Sequence, residues 1–215
     1  MGLLSEKVIG LLPHYIQPIP DLKPVPDLEP EISNHLYEVL SGPIFRFYCQ
    51  LQTLSGEIAK LSLYHRSRTK STDQEEVVER MTCLKSRLRA LWESRCATQR
   101  QSPDQLRSQM VQKVADKISN LNSICEAAYY AEIIDIGRQL GDPVSKSTDS
   151  REALYKIREI VESRGNRNDD KDATEICPGY LRPLFLYAIE GTDEGQTRWA
   201  VARLAKIQNP IYRDA

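Results

Sequence analysis

Apolar residues recur at three and four positions along most of this chain, and no stretch alternates apolar with polar at every second residue. A three-to-four period returns side chains to one face of an α-helix, whereas a strand needs a period of two. The pattern predicts an all-α protein, an irregular multi-helix bundle. Ile32, Leu36, Val39 and Leu40 make a short first stripe, expected to close at Gly42-Pro43 because proline lacks a donor and crowds the preceding turn. A second stripe starts at Ile44 and continues through Tyr48, Leu51, Leu54, Ile58 and Leu61. The linker HRSRTKST follows, with no apolar anchor. Val77, Met81, Leu84, Leu88 and Leu91 form the next stripe, and Trp92 extends it. That spacing also suits about two heptads of coiled coil, but a core helix of a bundle is the simpler reading.

Capping residues mark where helices begin. Thr72 with Glu75, Ser102 with Gln105, and Asp149 with Glu152 each pair an oxygen-bearing side chain with an acid or amide three residues on. Such pairs satisfy backbone donors left open by the first turn. Pro103 fits the first helical position. From there one long helix is expected, carrying Val111, Val114, Ile118, Leu121, Cys125 and Ala128. It runs on through Tyr129, Tyr130, Ile133, Ile134 and Ile136 to a stop at Gly141-Asp142-Pro143. The helix from Asp149 carries Leu154, Ile157, Ile160 and Val161, and the charged run RGNRNDDKD after it reads as a loop. Pro183 is expected to open an apolar helix, Leu184 to Ile189, buried on several sides. Thr192 is expected to cap the last helix, with Asp193 and Glu194 at its positive end and Arg203 and Lys206 towards its negative end.

Two regions result, a proline-rich arm over residues 1–30 and a helical domain over 31–215. Pro13, Pro18, Pro20, Pro24, Pro26 and Pro30 fall within eighteen positions and hold that backbone extended. A semi-rigid arm lying on the domain surface is the simpler expectation, and a docking peptide for a proline-reading domain is the functional one.

Composition narrows the function classes. A formal net charge of -1 gives no overall attraction to nucleic acid or anionic membranes. The five cysteines are odd in number and no two lie closer than thirteen residues, so neither a disulfide framework nor a zinc site of close pairs is expected. A reducing, intracellular setting fits that usage. The opening MGLLSEKVIGLL lacks a basic leader and a cleavage site, and Glu6 breaks the myristoylation pattern, so neither a secretory signal nor a lipid anchor is expected. There is no G-x-S-x-G elbow, no phosphate-cradling glycine loop and no H-E-x-x-H pair. His14, His35 and His65 are too far apart to suggest a joint site. Cys83 and Cys125 fall on apolar faces and are expected in the core, while Cys177 beside Pro178 is expected to be more open. Asp169, Asp170 and Asp172 lie among Arg164, Arg167 and Lys171 and read as compensated solvent charge. From Arg66 to Arg100 there are nine Lys or Arg against five Asp or Glu. This strip suits a weak nuclear import signal or a phosphate-facing surface, or more simply a solvated helix face. The expectation is a protein that is not an enzyme, with no catalytic, cofactor-binding or metal-ligating residues.

Residues Pro183 to Ala215 carry the most specific signal. Pro183-Leu184-Phe185, the small and acidic turn from Glu190 to Glu194, Arg198-Trp199, Leu204, Ile207 and Asn209-Pro210-Ile211 follow one another in order. This segment resembles the closing part of the regulatory domain of fungal binuclear zinc-cluster transcription factors. Ala127 to Tyr130 also resembles that family's aliphatic-aromatic helix, so the likeness spans roughly Asn122 to Ala215. The six-cysteine cluster that reads DNA has no counterpart in the chain, and contact with DNA is expected only indirectly. The resemblance implies an all-helical regulatory module in the nucleus, controlling metabolic or secondary-metabolite genes. It would act through a protein partner, self-association or a small apolar effector. The alternative is a helical scaffold or interaction protein without DNA-reading activity. An effector pocket, if formed, is expected between the long helix and the closing pair, walled by Tyr129, Tyr130, Phe185, Tyr187 and Trp199. Ordinary core packing is the simpler role for that set.

Overall fold

A computed structural model describes residues 30–66, 71–141, 147–165 and 176–207. Among them are eight α-helices and no strand, so the all-α reading holds. The helices are α1 (Pro30–Arg66), α2 (Ser71–Glu93), α3 (Ala97–Arg100), α4 (Pro103–Gln109), α5 (Gln112–Gln139), α6 (Thr148–Gly165), α7 (Leu181–Glu190) and α8 (Glu194–Leu204). A 3₁₀ turn, Pro178–Tyr180, leads into α7. The proline-rich arm up to Glu29, the middle of the linker after α1, most of the charged run after α6 and the tail with Asn209-Pro210-Ile211 lie outside the described residues.

Helix α5 is the axis of the bundle. Lys117 sits 5.1 Å from the Tyr37 ring, and Ser55 bonds Glu132, so α1 runs beside α5 in the same direction. Arg87 of α2 pairs with Glu57 of α1 and Trp92 lies 6.4 Å from Phe47, so α2 is antiparallel to both. Ile44, Leu51 and Ile58 of α1, Met81 and Leu88 of α2, and Ile118, Ile134 and Ile136 of α5 are wholly buried in one core. Burying each such side chain contributes roughly 1.5–3 kcal/mol, and together they set how these helices pack. A smaller cluster joins Ala127 of α5, Ile160 and Val161 of α6, Tyr180 and Leu184. The α2 stripe thus packs into the bundle core, as the simpler reading has it.

Several boundaries differ from expectation. Pro43 does not end the first helix, and α1 continues through it. Ile44 and Phe47 beyond the proline are buried in the same core that Leu36 and Leu40 pack against. Core burial on both sides thus outweighs the one lost bond to Val39, an exposed residue.

The single long helix expected from Pro103 is two helices. The Ser102 capping box forms as expected, with Gln105 N–H donating to Ser102 Oγ (3.2 Å) and Ser102 N–H to Gln105 Oε1 (2.8 Å). Yet α4 stops at Gln109, and Met110 is extended (φ −149°, ψ 169°). Leu106 and Met110 are both buried in the core, and Arg107 ties across the break to Asp116 at 2.7 Å.

Four starts shift by one or more residues. Helix α2 begins at Ser71, one residue ahead of Thr72. Ser147 opens α6, its Oγ accepting from Ser150 N–H, which leaves Asp149 free to face α2. Asp193, not Thr192, caps α8, with Gln196 N–H donating to Asp193 Oδ1 at 2.8 Å. Pro183 is not the first residue of its helix, because α7 starts at Leu181 behind the turn that Pro178 opens.

Candidate interaction site at the closing helices

The turn before α7 lies hard against α5. A Cβ at Gly179 would meet Ile124 Cγ2 at 2.8 Å, closer than real contacts allow, so glycine permits this approach. The approach brings Arg182 to the face of α5 where Glu132 and Asp135, three residues apart, lie side by side. Arg182 Nε donates to Glu132 Oε1 (2.7 Å), and Nη2 donates to Glu132 Oε2 (3.1 Å) and Asp135 Oδ2 (2.8 Å). Ser55 Oγ of α1 also donates to Glu132 Oε1 at 2.8 Å. Glu132 is 1% exposed, and three helices therefore meet on one buried carboxylate. The hydrogen bonds it donates to Glu132 push the Arg182 pKa up, so the cation is fixed. At the far end of α7, Arg138 pairs with Glu190 at 3.3 Å. These carboxylates are occupied by a permanent cation, an arrangement suited to anchoring a helix and not to proton transfer.

The five aromatic residues expected to wall one pocket fall into separate places. Tyr129 stacks on Trp92 with centroids 4.1 Å apart, Tyr130 lies 5.8 Å from the same indole, and the Arg95 guanidinium covers it at 3.3 Å. Tyr187 and Trp199 pack together at 4.9 Å, and Trp199 Nε1 donates to Glu162 Oε1 at 3.0 Å. Phe185 joins neither group and is 54% exposed.

Nor is α7 buried on most sides. Pro183, Leu184, Leu186 and Tyr187 face inward, whereas Leu181, Phe185 and Ile189, each one turn apart, form an exposed row. Val201, also exposed, stands one turn beyond Thr197, whose hydroxyl donates to the Ala188 carbonyl at 3.3 Å. It lies on the side of α8 that meets α7. The closing pair thus buries one face with an ionic anchor and presents an apolar row on the other.

The basic strip is largely engaged within the fold. Lys85 and Arg89 both reach Asp149, Arg87 pairs with Glu57, Arg80 with Glu76, and Arg100 donates to the Glu93 carbonyl. The solvated-face reading suits these partners better than a phosphate surface. Of the cysteines, Cys125 is buried, and desolvation pushes its thiol up to about 12. Cys83 is exposed, contrary to the expected core position, because it falls beside and not on the buried α2 stripe of Val77, Met81, Leu84 and Leu88. Cys177 is half-buried against the smaller cluster and is less open than expected. His35 is exposed on α1. His14, the His65 side chain and Asp169, Asp170 and Asp172 lie outside the described residues. Among the described residues, no group of three or more His, Cys, Asp or Glu could hold a metal ion, and no helix is long and apolar enough to cross a membrane.

Sequence reasoning missed the Glu132–Asp135–Arg182 anchor. Its signal was two acids inside the otherwise apolar run from Ala127 to Gly137, which call for a cation or hydrogen-bond donors from elsewhere in the chain. The chain matches no family model, no curated protein and no solved structure.

Proposed function

We propose that this chain is the helical regulatory module of a fungal transcription factor, working in the nucleus by protein contact and not by bond-making. The observation that carries the contact is the outward row Leu181, Phe185 and Ile189 on a helix whose opposite face is pinned to the core. Three large apolar side chains at four-residue spacing suit a partner bringing its own apolar helix face. The sequence likeness over Asn122 to Ala215 supports the transcriptional reading. Control of metabolic or secondary-metabolite genes is part of that same reading. A scaffold protein without gene-regulatory activity would use the same row. Fusion of the chain to a heterologous DNA-binding domain separates the two. A reporter raised or lowered by the fusion supports the regulatory module, and an inert fusion that still captures partner proteins supports the scaffold.

A further inference from the structure

A groove of about 380 Å³ lies between α1 and α2, away from the closing helices. That size falls within the range of small-molecule sites. Its lining includes Leu61 and Leu84, which are 7% and 5% exposed and supply an apolar wall. The remaining lining is unevenly charged, with Lys60, Arg80 and Arg87 against the single carboxylate of Glu57. Arg87 and Glu57 neutralise one another through two parallel hydrogen bonds. Among the described residues Arg80 is held only by the exposed helical pair with Glu76 at 3.4 Å, an interaction that water screens. Lys60 has no ion-pair partner among the described residues. Among the described residues, one cation without an ion-pair partner and one weakly held cation therefore border an apolar wall.

We propose that this groove binds a small amphipathic organic anion, with the anionic head between Lys60 and Arg80 and the hydrocarbon body on Leu61 and Leu84. A neutral molecule of the same shape forgoes the Coulomb attraction, and a cationic one meets repulsion. The proposal goes beyond the gene-regulatory reading and does not depend on it, since the groove and the closing pair are separate places in the fold.

Cys83 lies in the groove lining and Cys49 does not, and both are exposed, so alkylation by the neutral reagent iodoacetamide reports occupancy with an internal reference. The probes are octanoate, octan-1-ol and octylammonium, at one shared concentration below micelle formation. At about four times its dissociation constant, octanoate slows alkylation of Cys83 about fivefold, and Cys49 is unaffected. Octan-1-ol protects less and octylammonium does not protect. In Lys60→Gln, compared with and without octanoate so that any change in intrinsic thiol reactivity cancels, the protection is lost. Lys60 is exposed, so the variant keeps the helical fold, and circular dichroism checks this. Equal protection by octan-1-ol, equal slowing of Cys49, or full protection in Lys60→Gln overturns the proposal.

Discussion

Arg182 holds Glu132 across fifty positions of sequence, its Nε 2.7 Å from one carboxylate oxygen and its Nη2 3.1 Å from the other. The pair joins the first closing helix to the central helix, and Ser55 brings α1 to the same carboxylate. Cutting Arg182 back to alanine leaves Glu132 and Asp135 buried without their cation. Breaking a fully buried pair costs about 3–5 kcal/mol, and because Arg182 itself reaches water the expected loss is about 2 kcal/mol. Urea unfolding of Arg182→Ala measures it. A loss below roughly 0.5 kcal/mol, the size of an ordinary surface pair, would mean that the anchor is not holding α7.

Two carboxylates should give opposite slopes of stability against pH. Hydrogen bonding to Lys85 holds the Asp149 carboxyl below its ordinary range, with Arg89 adding to it. Its contribution is therefore present above the unfolded pKa and is lost as pH falls through the folded value. Asp149→Asn should flatten the acid limb of the stability curve, and at neutral pH it should cost only about 0.5 kcal/mol because the pair is exposed. Glu126 is the reverse case. Burial pushes its carboxyl up, despite the opposing pull of Arg95 and Lys156 and with a smaller push from Glu159. The folded state then binds the proton more tightly, so stability falls as pH rises through this window. Glu126→Gln should raise the melting temperature at pH 7 and leave it unchanged well below the unfolded pKa. Thermal scans across pH check both signs.

Glycines test how closely the helices approach. At Gly179 an added methyl would strike Ile124 at 2.8 Å, and Gly179→Ala should cost about 1–2 kcal/mol as the turn shifts away from α5. Gly56, inside α1, has nothing within 4 Å of the same methyl. Gly56→Ala should therefore gain about 0.5–1 kcal/mol from reduced backbone freedom in the unfolded chain. Denaturant midpoints of the two variants should move in opposite directions.

Thiol reactivity should sort by environment. Cys49 and Cys83 are exposed and should be alkylated in the native state, whereas Cys125 is buried with its pKa pushed up to about 12. Mass spectrometry after brief alkylation should find Cys125 unmodified until denaturant is added. Prompt native-state labelling of Cys125 would mean that the core around α5 opens far more readily than its packing implies.

Helical periodicity and caps made much of the fold legible. The stripes of α1, α2 and α5 and the Ser102 box lie where the sequence places them, because local spacing and local hydrogen bonds determine them. What escaped the sequence depends on contacts between distant residues. Pro43 reads as a stop, yet burial of Ile44 and Phe47 carries α1 through it. The break at Met110 has no glycine or proline to mark it. At the closing pair, the apolar look of Leu184 to Ile189 suggests burial on several sides. The spacing of Leu181, Phe185 and Ile189 already held the alternative, but only the packing of α7 on α5 and α8 decides which face is covered. The anchor was visible only as an oddity, two acids in an apolar run, since its cation lies far along the chain.

The exposed row on α7 is the part of this account that function rests on, and Phe185 is its centre. The direct measurement is reporter output from the chain fused to a heterologous DNA-binding domain, for the native sequence and for Phe185→Glu combined with Ile189→Lys. Both side chains are about half exposed, so the double variant should keep its cooperative unfolding transition. The account predicts that the native fusion alters transcription and that the folded double variant does not. A native fusion with no effect, or a double variant with undiminished effect, would contradict it.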